Sequence, residues 1–168
     1  MRRVALSVLI VVALVVSAGC AGARSNKKRT LRVPGGTNIA PVGLVIDASY
    51  DTRFDDFVPG YKVINVAVIN QSFDIVYLNP ERDVWKIKFA DGGKAVRAIH
   101  DMRTYDPQTW SAMPQKAKSI MSYPLFIPVG ARQVIDLFVP DTVDAAQFTE
   151  LDIYLKSLNT NLQVLSRQ

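Results

Sequence analysis

From Val42 onward the apolar and polar positions recur at a period of two. Val42, Leu44, Ile46, Ala48 and Tyr50 alternate with Gly43, Asp47 and Ser49, which predicts a half-buried strand. Ile64, Val66 and Val68 predict a second strand, and Val63, Ala67 and Ile69 make its other face apolar as well, so it is predicted to be central. Trp85, Ile87 and Phe89 alternate with Lys86 and Lys88; Asp91-Gly92-Gly93 then supplies turn residues and Val96–Ile99 lead back, the pattern of a hairpin with Trp85 in the core. Ile120–Ile127, Ile135–Val139 and Leu151–Leu155 add further short runs bounded by Pro, Gly, Asp or Thr. Only Val143–Phe148 and Ser111–Met121 suit short helices, so the reading is all-β: an antiparallel two-sheet sandwich of about seven to nine strands, with a barrel as the second choice.

The N-terminus has a different pattern. Met1, Arg2 and Arg3 precede the nearly unbroken apolar run Val4–Ala18, and small residues lead into Cys20, as in a secretory signal. The exit Ser17-Ala18-Gly19-Cys20 resembles the lipobox of bacterial lipoproteins. That resemblance implies cleavage between Gly19 and Cys20 and a diacylglyceryl group on the Cys20 thiol. Ala21 stands where Asp commonly retains such chains at the inner membrane, which implies an outer-membrane location facing the periplasm. An ordinary cleaved signal with an incidental cysteine and a short signal anchor are the alternatives. The expected organisation is a signal peptide over 1–19, a lipidated cysteine and basic flexible tether over 20–38, and one β-sandwich domain over 39–168.

Cys20 is the only cysteine among 168 residues, which excludes disulfides, Cys-ligated zinc and cysteine nucleophiles from the folded part. The net charge of +5 is concentrated in the leader and tether: residues 35–168 carry 13 Lys and Arg against 15 Asp and Glu, a net of −2. Nucleic-acid binding is therefore not expected. Arg24, Lys27, Lys28, Arg29 and Arg32 instead suit anionic headgroups beside a lipid anchor.

Tyr61–Ser72, ending in Asn70-Gln71-Ser72, resembles the second strand of immunoglobulin-like domains found in bacterial lipoproteins of uncharacterised function. Phe89-Ala90-Asp91-Gly92 is similar to their hairpin, and Ile127-Pro128-Val129-Gly130 with Leu137-Phe138-Val139-Pro140 resembles their Pro-Gly turn and following strand. The resemblance covers residues 40–157, departs at the long stretch Asp101–Ala117, and brings no catalytic residues.

His100 beside Asp101 offers an imidazole–carboxylate pair without a Gly-x-Ser-x-Gly motif, and the plain reading is a surface polar pair. Asp51, Asp55 and Asp56 are weak candidates for a hard cation, with Arg53 the simpler neutralising partner. Ser25-Asn26-Lys27-Lys28 matches Ser-x-x-Lys by coincidence, and the sequon at Asn70 has no evident use in a bacterial lipoprotein. Thr104–Pro114 carries Tyr105, Trp110 and Met113, the candidate partner-binding residues; the competing reading is that Trp110 folds back to cap the core.

These features favour a lipid-anchored binding or structural module of the cell envelope that contacts another envelope protein through loops or a sheet edge. No catalytic residue, metal or cofactor is expected. A periplasmic small-ligand carrier or sensor with a pocket between the sheets or under the Tyr105–Trp110 stretch is the alternative, and a hydrolase is third.

Overall fold

The computed structural model of the protein describes residues 30–40, 42–90 and 92–166. Its elements are β1 (Thr30–Pro34), β2 (Asn38–Ile39), β3 (Leu44–Tyr50), β4 (Tyr61–Asn70), β5 (Val76–Tyr77), β6 (Val84–Phe89), β7 (Val96–Arg97), α1 (Met102–Tyr105), α2 (Pro107–Ala112), α3 (Gln115–Ile120), β8 (Phe126–Ile127), β9 (Arg132–Pro140), β10 (Phe148–Leu155) and β11 (Thr160–Leu165). Single 3₁₀ turns occupy Thr52–Phe54 and Ala145–Gln147. Five strands pair in the order β1-β11-β10-β6-β7, four in the order β2-β3-β4-β9, and β5 pairs with β8 in a small third sheet.

The fold is mixed α/β, with three sheets and three short helices. It is not the all-β, antiparallel two-sheet immunoglobulin-like sandwich that the alternation suggests, and the resemblance to immunoglobulin-like lipoprotein domains is overturned with it. The quoted segments do form strands, but turn and strand patterns of that kind suit many β-rich arrangements. β1 also runs parallel to β11, with Thr30 opposite Asn161 and Pro34 opposite Leu165. The expectation of a tether reaching residue 38 is corrected accordingly: Leu31 and Val33 alternate with exposed neighbours and pack on the core. The signal segment 1–19, Gly19 and Cys20 lie outside the described residues.

The main core lies between the two larger sheets. Leu44 and Ile46 of β3, Ile64, Val66 and Val68 of β4, and Ile135, Leu137 and Val139 of β9 meet Trp85, Ile87 and Phe89 of β6, Leu151, Ile153 and Leu155 of β10, and Leu162 and Val164 of β11. Alternate positions of the five-stranded sheet face water. There Glu150 accepts from Gln163 at 2.6 Å, pairs with Lys88 and lies 3.4 Å from Arg32.

A second cluster explains the helices. Val63 and Phe138, neighbours in the β4–β9 register, are both fully buried on the far side of the four-stranded sheet. Met102, Met113, Ala117 and Met121, from α1, the residue after α2, α3 and the residue after α3, cover them. A strand apolar on both faces must be covered twice. The stretch 102–121, too long for a turn, supplies the second cover.

Candidate interaction surface

The residues singled out from the sequence do not converge on one site. His100 is 1% exposed, so it is not half of a surface pair. Its Nε2 donates to the Pro80 carbonyl at 2.9 Å, an assignment forced by a carbonyl that only accepts. Its Nδ1 is buried without a hydrogen-bond partner. Burial holds its pKa below the ordinary value, against the opposing pull of the Pro80 carbonyl, Asp83 and Asp101. Asp101 is buried too, but its carboxylate accepts from Thr104 Oγ1 at 2.6 Å.

The His100 ring packs 4.6 Å from that of Tyr123. Tyr123 Oη donates to Asp83 Oδ2 at 2.9 Å and accepts from Trp85 Nε1 at 3.2 Å. Burial, followed by the Asp83 charge, pushes the Tyr123 phenol far up. Asp83 also accepts from the backbone N–H of Asn79 at 2.7 Å and of Lys156 at 2.8 Å. This satisfied group locks the Asn79–Asp83 turn onto the start of β6 and the end of β10. Chemistry at His100 would need an approach that its burial closes.

Two of the three carboxylates near β3 are engaged, each with a different partner. Asp51 takes Arg53 Nε at 2.9 Å and the Arg53 backbone N–H at 3.0 Å, and these bonds hold its pKa down. Asp55 accepts from Tyr50 Oη at 2.7 Å, while burial and then Asp55 push the Tyr50 phenol up to about 12. Asp56 adopts a φ of 62°. No group of three or more metal-ligating side chains occurs among the described residues.

Tyr105 and Trp110 lie in α1 and α2, and Met113 directly follows α2. Met113 is 4% exposed and helps cover Phe138. Trp110 packs half-buried on the same cluster with Lys118 over its ring, and Tyr105 Oη donates to the Pro80 carbonyl at 3.2 Å. Asp106 caps α2 by accepting from Thr109 N–H at 3.1 Å and also takes Tyr61 Oη at 2.9 Å. Beside α2, a surface cleft of about 240 Å³ is lined by Asp56, Phe57, Pro59, Thr109, Ala112, Met113 and Pro114. It is smaller than the roughly 300–1,000 Å³ usual for ligand sites.

The largest exposed apolar grouping is elsewhere, on the third sheet. Val76 and Ile127 are register partners that point inward and are buried. Their neighbours Tyr77 and Phe126 are also partners, but point outward at 61% and 51% exposure. Ile75, Leu125 and Val129 are about half exposed, and Phe73, at the tip of the preceding loop, is 98% exposed. Single exposed apolar residues are common on folded proteins, whereas apolar residues grouped on one surface characterise contact sites.

Asn70 holds this face in shape. Fully buried at the end of β4, its amide donates to the Asp74 carbonyl at 2.8 Å and the Ile127 carbonyl at 3.0 Å. Its oxygen accepts from Ser72 N–H and Oγ. The apparent sequon is thus a structural clamp. Gly43, at a φ of 67°, lets the Ser72 loop approach so closely that an added Cβ would stand 2.8 Å from Ser72 Cα.

The alternation test misses this surface because its strands are only two residues long. The separated apolar residues Phe73, Ile75, Tyr77 and Leu125, Phe126 are the available signal. In comparisons with known proteins, no family model matches the chain, and no curated protein or solved structure matches it.

Proposed function

We propose that the protein is a lipid-anchored binding module of the bacterial cell envelope, held at a membrane by Cys20 and contacting another envelope component through the apolar face of β5 and β8. The exposed set Phe73, Ile75, Tyr77, Leu125, Phe126 and Val129 carries the reading. Apolar and aromatic side chains outside the core retain their area for an interface, where aromatic anchors contribute most. The signal-like segment before Cys20 supports the address. The engagement of His100, Asp51 and Asp55 in separate structural contacts favours binding over catalysis.

Photo-crosslinking in the native cells tests the surface, with a probe replacing Tyr77 and control probes at Lys86 and Trp110. Adducts from Tyr77 that are absent from both controls are expected. Adducts from Trp110 alone would return the contact to the helical stretch, and silence at Tyr77 would overturn the assignment.

A further inference from the structure

The exposed apolar face is linked through a short turn to the row of the five-stranded sheet that begins at Thr30, from which the chain leads back toward Cys20. Thr30 is opposite Asn161, Asn161 opposite Tyr154, and Tyr154 opposite Val84, one row across the five-stranded sheet. With strands about 4.8 Å apart, three steps place Thr30 about 14 Å from Val84. Val84 directly follows the turn that Asp83 N–H closes onto the Asn79 carbonyl at 2.8 Å, and that turn directly follows the strand carrying Tyr77. On the four-stranded sheet, the Asn70 clamp ties the Phe73 loop and β8 to the end of β4 where β9 begins.

Ten residue steps lead from Cys20 to Thr30. Even fully extended they span no more than about 36 Å. A chain anchored at Cys20 therefore holds Thr30 within that reach of its bilayer. Four of the ten steps carry Arg24, Lys27, Lys28 or Arg29, and Arg32 follows in β1, charges that favour anionic headgroups. The face itself offers Tyr77, an amphipathic ring of the kind that settles at the membrane–water interface, beside the apolar rings of Phe126 and Phe73.

We infer that the β5–β8 face docks on the bilayer that holds the Cys20 acyl chains, so that the envelope component it contacts is the lipid surface itself. The inference rests on the proposed anchoring at Cys20.

The test uses the full chain processed in cells and reconstituted in phosphatidylethanolamine–phosphatidylglycerol vesicles. Because Cys20 is the only cysteine, acylation of its sulfur leaves no free thiol, and a nitroxide can be placed at Asp74→Cys or, as the distant control, Thr142→Cys. Both positions are exposed. A label at 74 that is several-fold less accessible to a water-soluble relaxant than the label at 142, and more accessible to oxygen, is the expected result. Equal aqueous accessibility at both positions, in a parent chain that takes up no label, overturns docking and leaves anchoring intact. Protection at 74 only after envelope proteins are added also overturns docking, in favour of a protein partner. Labelling of Cys20 in the parent chain overturns anchoring and docking together.

Discussion

Asp136 faces away from the main core beside Asn65, whose amide donates to it at 2.6 Å. Burial raises its carboxyl above the ordinary value, with the Asn65 bond acting the other way. An acid whose folded pKa exceeds its unfolded one weakens the fold as pH rises through that interval, and the penalty persists above it. Asp136→Asn is expected to raise the melting temperature at pH 7 and to change it little well below the ordinary value of 3.8, as thermal unfolding at the two pH values will show. His100 has the opposite dependence: its lowered pKa means that stability falls as pH drops below 6.5, where the unfolded chain takes up the proton first. Tyr123→Phe removes the hydroxyl joining Trp85 to Asp83 and should cost about 1–3 kcal/mol in urea unfolding.

The sequence shows Trp85 as a core residue because an apolar side chain at alternating spacing beside lysines has one face to occupy. Tyr123, His100 and Asp83 are not visible as a group there. They are brought together across 40 residues by the end of β6 and the segment before β8, and nothing local marks a polar side chain as buried.

At the scale of elements, β3, β4, β6, β9 and β10 are readable from period-two alternation, β11 and the division into three sheets are not, and the doubly apolar β4 needs cover on both faces. The cover itself was not readable. Residues 102–121 form helices of four, six and six residues, too short for a helical period to stand out, and their shape is set by packing on Val63 and Phe138. Phe138→Ala should therefore cost about 3–5 kcal/mol. It should also raise amide exchange in α1–α3 more than in β6 and β10, whose core contacts it leaves in place. β1 was hidden by its basic, Gly-flanked sequence; its two inward residues reach the core only because β11 offers a parallel edge. In the turn before β3, Gly43→Ala meets both a positive φ and the Ser72 backbone. A loss of more than about 1 kcal/mol is expected, with faster exchange in the Ser72–Asp74 loop than at the Pro140 end.

Taken as a whole, the molecule has a polar outer sheet face, a helix-covered face, and one end bearing exposed aromatic and aliphatic side chains. The described chain begins ten residues after Cys20, in the strand row that leads through Val84 toward that end. The coincidence joins the address read from the N-terminal sequence to a surface that only the folded chain reveals. Everything proposed for the β5–β8 face depends on Cys20 being the anchor, because attachment is what brings that end to a membrane. Intact mass and N-terminal fragmentation of the chain recovered from bacterial membranes test this most directly. A mature chain beginning at Cys20 with the added mass of a diacylglyceryl group is the expected result, while a chain that begins elsewhere, or carries an unmodified Cys20, would contradict it.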